Sequence, residues 1–502
     1  TGNAICASGY QIYAMLLTLS SIGVPNAIAK LVAERTALGD HKGAHRIFKI
    51  AFATFSVIGL VGTLLLFLGA DVIANVWLQI PESKYTLVAL SPAVFFVSTA
   101  SVIRGYFNGR SSMKVTARSQ SLEQVFKTVF TIMIVELIFT MTSGNTVWMA
   151  AGANIATTLS IFLSFMYLFT YYKRQGRQIG REIKKSVNYR YQNVKTIVKN
   201  ILHVSIPMSL SSIMSSFNKN IDSFTVVRNL KTFMSEADAK AQYGILSGKV
   251  DTLTSLPLAI NIAFATALVP AISAARMKGD QETITKRTSF SLLASMLIGL
   301  PCTAGMLIFA GPILNLLFPN ATNGTTILQI SSLTIIFTIL DQTINGTLQG
   351  IGKIMIPATS LGFGMLTKLI VNLILVPIPA FGANGAAIGS VACHMVAFTI
   401  AFNVLRKNVK LNLTFKKFVL KPLMATIIMS VCSYFIYIVL KGIIIERLAT
   451  IIAMIVAVVI YGLSILALRI LNKEDIYMIP YGQKIYKVLE KLGIYREAKH
   501  SK

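Results

Sequence analysis

The sequence predicts an all-α polytopic membrane protein, built as two pseudo-symmetric six-helix lobes followed by two extra C-terminal helices. Three observations predict it: high hydropathy, a series of apolar segments that can each cross a bilayer, and an internal repeat. Of the 502 residues, 54% are hydrophobic and 13% are charged, and the mean hydropathy is +0.66. Because soluble domains carry roughly 25% charged residues, this composition excludes a soluble protein.

Thirteen apolar segments reach about 20 residues or more, the length that a helix needs to cross a hydrocarbon core of about 30 Å. Their unbroken apolar character, without the alternation of an outer-membrane barrel, indicates helices. The predicted spans are 8–29, 48–69, 87–107, 121–141, 147–171, 200–226, 243–273, 288–311, 325–347, 354–377, 384–405, 419–440 and 447–469.

The two halves of the chain repeat each other. The hexapeptide 104–109 reads Arg-Gly-Tyr-Phe-Asn-Gly, and 345–350, 241 positions later, reads Asn-Gly-Thr-Leu-Gln-Gly. Pro25 and Pro270 form a second matched pair. Such symmetry in an apolar chain is typical of membrane transporters. The paired glycines predict tight helix packing or a sharp turn, and the paired prolines predict kinks that could act as hinges.

The net charge of +28 follows the membrane topology. Of 47 lysines and arginines, 36 lie in alternate connections between the spans and in the C-terminal tail. The positive-inside rule places those connections and the C-terminus in the cytoplasm. We therefore expect basic loops that attract anionic membrane lipids, and no nucleic-acid partner.

The repeat also predicts the organisation of the complete protein. The first-half counterpart of span 200–226 would precede Thr1, so we expect one further helix and its connection, about 40 residues, and fourteen helices in all. The expected divisions are a first lobe over 1–172, a basic cytoplasmic connector over 173–199, a second lobe over 200–405, two extra transmembrane helices over 406–470 and a cytoplasmic tail over 471–502. The tail is amphipathic and predicts either a helix on the membrane surface or a solvated extension.

Ionisable side chains inside the spans are the candidate site residues, since burying charge in a bilayer is costly without a function. A cavity lined by Lys and Arg suits an anionic group such as a phosphate, whereas structural ion pairs and side chains reaching the interface are the alternatives. Glu123 and Lys127, spaced i, i+4, can pair on one helix face. The substrate-cavity candidates are Arg104, Glu123, Lys127, Lys219, Asp222, Lys249, Asp251, Asp341 and Lys368, with Glu136 and His394 also inside spans.

The sequence shows no motif for nucleotide binding, metal binding or catalysis. The chain contains no phosphate-binding Gly-x-x-x-x-Gly-Lys-[Ser/Thr] loop, its four cysteines are scattered, and its five histidines do not cluster. We expect no enzymatic activity, no catalytic residues, no metal centre and no cofactor.

The residues carry a family resemblance. The Val-Pro-x-x-Ile pattern at Pro25, the hexapeptide 104–109, the Gln-x-x-Glu-Gln pattern at Glu123, the Ile-Asp pair at Asp222 and the two extra C-terminal helices resemble the polysaccharide-transporter branch of the MOP flippase superfamily. Within that branch, the chain is most similar to the stage V sporulation protein B and MurJ-type lipid II flippase group. The resemblance spans essentially the whole chain.

The resemblance implies transport of undecaprenyl-linked sugar precursors by alternating access of two lobes, with the lipid tail beside the extra helices. It implies a coupling ion, H⁺ or Na⁺, or the membrane potential as energy source. Asp222 and Asn372 match two ligands of the sodium site of some members, but Val376 stands where a second carboxylate is expected. Lys249 stands where lipid II flippases often place an arginine, which favours another polyprenyl-linked glycan.

We therefore expect a flippase for a polyprenyl-diphosphate-linked glycan in the cytoplasmic membrane of a bacterium, with peptidoglycan lipid II for the cell wall or spore cortex as the first candidate. One alternative is a cation-coupled drug exporter of the related MATE branch, which normally has twelve helices. The other is a non-transporting scaffold that recruits envelope-synthesis enzymes through its basic connector and tail.

Overall fold

The computed structural model describes residues 23–77, 81–143, 145–187, 193–319 and 323–478, with isolated positions of the tail beyond them. The described residues form helices and connections, without a strand. The α-helices in chain order are α1 Val24–Ala37, α2 His41–Val72, α3 Ser83–Gly109, α4 Met113–Thr142, α5 Thr146–Arg174, α6 Gly176–Lys184, α7 Val194–Leu230, α8 Glu236–Gly244, α9 Asp251–Met277, α10 Gln281–Ile308, α11 Ala310–Leu317, α12 Thr325–Gly350, α13 Ile356–Leu375, α14 Ala383–Asn408, α15 Lys421–Lys441, α16 Glu446–Ala467 and α17 Lys473–Tyr477.

Twelve of these helical segments are long and apolar enough to cross a membrane. They coincide with twelve of the thirteen predicted spans, which confirms the polytopic helical fold. Most of the first predicted span, 8–29, lies outside the described residues; its end belongs to α1. Helices satisfy all of their backbone hydrogen bonds internally, which is the requirement that a bilayer imposes.

Inter-residue contacts divide the chain into two compact units. The first contains the described residues up to Phe217, together with Thr266–Thr283 and Gly346–Thr359. The second contains Asn218–Ala265, Ile284–Asn345 and the described residues from Ser360 onward. Five of the described helices, α7, α9, α10, α12 and α13, therefore contribute residues to both units.

The core of the first unit is aromatic. Helix α3 packs against α1, α2 and α5, and α4 packs against α5. The ring of Phe48 lies 4.6 Å from that of Tyr106 and 4.9 Å from that of Tyr172, measured between centroids. Such ring pairs stabilise a core beyond the area that they bury. Short segments of the second half of the chain complete this unit, because Val269 and Ile354 join a buried cluster with Ala27.

The glycines of the repeated hexapeptides lie where two helices nearly touch. A Cβ on Gly105 would lie 2.8 Å from the carbonyl oxygen of Pro25 and 2.9 Å from Cβ of Ile28. A Cβ on Gly350 would lie 2.7 Å from Cβ of Ile272. Both halves therefore use glycine for close helix approach, which confirms the packing interpretation of the repeat.

The matched prolines lie in related positions. Pro25 is in the first turn of α1, and Pro270 is inside α9; both are buried. Proline inside a helix removes a backbone hydrogen bond and favours a kink. Their role as hinges stays a prediction.

In the second unit, the two C-terminal helices α15 and α16 pack against each other and against α10. Tyr461 donates a hydrogen bond of 2.9 Å to the carbonyl oxygen of Leu297, and Tyr437 donates one of 2.7 Å to Glu446. The opposite faces of α15 and α16 remain exposed and apolar, with Phe435 67% and Val458 73% exposed. These faces are suited to contact lipid.

The predicted connector and tail are partly described. Helix α6 lies within the connector, where Glu182 forms an ion pair with Arg110. At the start of the tail, α17 is held by an ion pair of 2.5 Å between Lys417 and Asp475, and Ile476 is buried. Most of the predicted amphipathic segment lies outside the described residues.

Candidate functional site

Arg104 and Glu123 form a partly buried ion pair inside the first unit. Nη2 of Arg104 lies 2.6 Å from Oε2 of Glu123, and the two side chains are 11% and 19% exposed. The guanidinium also donates to the hydroxyls of Ser119, at 3.2 Å, and Ser164, at 2.9 Å. The charge of Arg104 is therefore neutralised and held by three helices, α3, α4 and α5.

Replacing Arg104 with alanine should destabilise the protein, because the carboxylate of Glu123 then stays largely buried without its cation. We expect a loss of about 2–3 kcal/mol in the free energy of unfolding, measured as thermal unfolding of the purified protein in detergent. The double variant R104A/E123A should recover part of that loss, giving a coupling energy of about 0.5–3 kcal/mol. Additive single effects would show that the pair does not stabilise the unit.

The other first-lobe candidates also lie on α4. Lys127 is half-buried and Glu136 is exposed. The predicted pair between Glu123 and Lys127 stays a prediction, because the partner that the structure gives for Glu123 is Arg104.

A second buried ion pair lies in the second unit. Nζ of Lys368 on α13 lies 2.7 Å from Oδ2 of Asp222 on α7, and the two side chains are only 3% and 8% exposed. The other oxygen of Asp222 accepts a hydrogen bond of 2.9 Å from Nδ2 of Asn372. The same amide donates to the hydroxyl of Thr225 at 3.0 Å, and Lys368 also donates to the carbonyl oxygen of Asn218 at 3.0 Å.

Helical spacing explains how the chain builds this cluster. Residues 218, 222 and 225 are spaced i, i+4, i+7 and lie on one face of α7, while 368 and 372 are spaced i, i+4 on α13. Two short polar stripes on otherwise apolar helices therefore meet in the core of the second unit. A buried Lys or Asp is rare unless it is paired, and here each charge has its opposite.

The cluster continues to α14 through Asn218. Its amide lies 3.5 Å from Nε2 of His394, and its side-chain oxygen accepts a weak hydrogen bond of 3.5 Å from Sγ of Cys393.

On α12, Asp341 accepts a hydrogen bond of 2.9 Å from Asn345. The second oxygen of Asp341 is buried and has no hydrogen-bond partner among the described residues.

Lys249 lies on a π-helical turn, Ile245–Val250, directly before α9. Its ammonium is 5.3 Å from the centroid of the Phe318 ring, a cation–π distance. Asp251 is the first residue of α9, and both residues are half-buried. The side chain of Lys219, the remaining candidate, lies outside the described residues.

Sequence reasoning missed the neutral partners of both ion pairs: Ser119 and Ser164 in the first unit, Asn218 and Thr225 in the second. The stripe on α7 could have indicated the latter two, since polar residues at i, i+4 and i+7 in an apolar helix share one face.

Among the described residues, no three His, Cys, Asp or Glu side chains come together in a way that could hold a metal ion.

A cavity of about 490 Å³ lies in the first unit, between residues 202–207 of α7 and the connection before α13. Its lining is mostly apolar, with His203 and Lys353 as its ionisable side chains. None of the predicted site residues lines it.

The fold is that of a two-lobed, multi-pass helical membrane protein. A solved structure described as the outward-facing conformation of a multidrug resistance MATE family transporter of the MOP superfamily matches it with a TM-score of 0.67, at 18% sequence identity, over 81% of this chain and 87% of that chain. The model of the polysaccharide biosynthesis protein family matches residues 1–277, and the MatE model matches residues 244–374. The chain belongs to the polysaccharide biosynthesis protein family.

Two curated relatives cover most of the chain. Stage V sporulation protein B of Bacillus subtilis (strain 168) is 26% identical over 405 residues, 80% of this chain and 77% of that protein. Lipid II flippase MurJ of the same organism is 23% identical over 425 residues, 81% of this chain and 77% of that protein. The resemblance inferred from the motifs is thereby confirmed.

Proposed function

We propose that this protein is a non-enzymatic flippase that moves a polyprenyl-diphosphate-linked glycan, with peptidoglycan lipid II as the first candidate, across the cytoplasmic membrane of a bacterium. The observation that carries the proposal is the family match over more than half of the chain, together with relatives named as a lipid II flippase and a sporulation protein. The C-terminus would lie in the cytoplasm.

The proposed substrate has an apolar tail and a charged headgroup. The protein offers an apolar surface for the tail and positive charge for the headgroup. The exposed apolar faces of α15 and α16 would accompany the polyprenyl tail, which stays in lipid. Lys249 would offer positive charge to the diphosphate, for which an ammonium group is a usual partner. The half-buried Lys249 lies on a π-helical turn, and such turns are frequent at functional sites.

Alternating access of the two lobes would carry the headgroup across. The cell interior is negative relative to the outside. Moving one negative charge outward across the membrane is therefore favourable by about 2.3 kcal/mol per 100 mV of membrane potential. A diphosphate moving without a counter-ion would therefore be driven outward by the membrane potential. This route needs neither nucleotide hydrolysis nor a cofactor.

The test is lipid II translocation in cells depleted of their resident flippase and expressing the full-length gene, measured as accessibility of the headgroup from outside. We expect rescue, and at least a tenfold lower rate for Lys249→Gln if this charge contacts the diphosphate, since a charge-assisted hydrogen bond contributes about 1.5–3 kcal/mol. Lys84→Gln, which removes an exposed ammonium paired with Asp71, is the matched control and should leave the rate unchanged. A folded, membrane-inserted protein without rescue would contradict the lipid II assignment.

A cation-coupled drug exporter is the second candidate, favoured by the MatE match over residues 244–374 and by the fold of the solved transporter. It predicts efflux of cationic dyes, which a lipid flippase would not support.

The scaffold hypothesis, with envelope-synthesis enzymes as partners, predicts that deleting residues 476–496 abolishes function, whereas a flippase should keep much of its transport.

A further inference from the structure

The ammonium of Lys368 lies where oxygen ligands converge in the second unit. It contacts a carboxylate oxygen of Asp222 at 2.7 Å and the carbonyl oxygen of Asn218 at 3.0 Å. Its side chain is 3% exposed, so bulk water cannot replace these contacts. Lys368 is therefore held as a fixed, buried cation.

The surrounding groups form an oxygen-rich shell. Oδ1 of Asp222 and the hydroxyl of Thr225 both accept from the amide nitrogen of Asn372. The side-chain oxygen of Asn372 is itself buried and has no hydrogen-bond partner among the described residues. A carboxylate, carbonyl oxygens and a hydroxyl are the ligands that hard cations prefer.

The sodium ion that the family resemblance implies does not fit this shell. The ammonium of Lys368 already neutralises Asp222, the only carboxylate that the described residues place in the shell, and a second cation beside it would be repelled at close range. Val376, where a second carboxylate would be needed, is apolar and 0% exposed. The shell therefore has one negative charge, and a side chain of the protein uses it.

We propose that Lys368 is a tethered cation that takes the place of a coupling sodium ion, so that the second unit does not bind Na⁺. Removing the ammonium leaves Asp222 with the oxygens of Asn218, Thr225 and Asn372 around an emptied position. Lys368→Ala should therefore create a Na⁺ site where the wild-type protein has none. That transport itself proceeds without sodium is a corollary, and it rests on the proposed flippase function.

The test compares thermal unfolding of the purified full chain in NaCl, KCl and choline chloride at equal ionic strength. The wild-type protein should respond equally to the three salts. K368A should unfold at a temperature roughly 2–5 °C higher in NaCl than in choline chloride, and it should retain ²²Na⁺ on a filter. The control K368A/D222N, which lacks the carboxylate, should lose both responses.

A sodium-specific stabilisation of the wild-type protein would overturn the proposal, and this arm needs no variant to fold. K368A that folds but responds equally to sodium and choline would overturn it as well. Lipid II translocation in sodium-free medium tests the corollary separately. If translocation is absent in every medium, the proposed function fails, while the salt response of the purified protein still decides the role of Lys368.

Discussion

Asp222→Ala is expected to destabilise the protein by about 3–5 kcal/mol, because it leaves the ammonium of Lys368 buried without its counter-charge. The side chain of Lys368 is 3% exposed and cannot reach water without local unfolding. The unfolding midpoint in detergent should fall by on the order of 10 °C. The double variant D222L/K368M should recover most of the loss, since apolar side chains of similar size can replace a buried ion pair at little cost.

An exposed ion pair of the same length gives the control. Lys84 and Asp71 are also 2.7 Å apart, but their side chains are 46% and 57% exposed. Because surface pairs contribute at most about 1 kcal/mol, Asp71→Ala should shift the midpoint little. Equal shifts for D222A and D71A would show that burial does not determine the contribution of the Asp222 pair.

Hydropathy was sufficient to predict the fold because a bilayer leaves few alternatives to an apolar helix. It was less informative about where helices end. The span predicted over 48–69 belongs to a helix that begins at His41, since backbone hydrogen bonds continue past the membrane into polar sequence. The short helices α6 and α11 escaped prediction because each is shorter than a membrane span.

The candidate site was predictable in its residues but not in its pairing. Asp222 and Lys368 were predicted as site residues because a charged side chain inside a membrane span is costly to bury. Their ion pair explains how the protein tolerates both charges. Spacing rules connect only residues a few positions apart on one helix, whereas these two are separated by 146 positions. The same limit applies to Arg104, whose serine partners lie on two other helices, up to 60 positions away.

The two ion pairs also affect how an anionic substrate could bind to these cations. Since Arg104 and Lys368 each have a carboxylate within 2.7 Å, a diphosphate would have to compete with Glu123 or Asp222 for them. A transport cycle that separates one of these pairs would expose a cation only in one conformation. Substrate affinity would then differ between conformations, which is the condition for a ligand to shift an equilibrium.

Gly109→Leu is expected to destabilise the first unit by about 3 kcal/mol or more, because there is no space for a side chain between α3 and α1. A Cβ at this position would lie 2.6 Å from the carbonyl oxygen of Ala29 and 2.8 Å from Cβ of Val32. Backbone cannot move aside as a flexible side chain can, so the helices must separate and lose their packing. Its repeat counterpart, Gly350→Leu, should behave alike, with thermal unfolding in detergent as the measurement.

Gly462 in α16 gives the control for both glycines. It is helical, and a Cβ added there would meet nothing within 4 Å. Gly462→Leu should be neutral or slightly stabilising, since glycine in a helix interior costs roughly 0.5–1 kcal/mol relative to alanine. If all three variants unfolded at the same temperature, close helix approach would not be the reason for glycine in the two hexapeptides. A loss confined to positions 109 and 350 would instead tie the internal repeat to one physical cause, the contact of two helix backbones in each half of the chain.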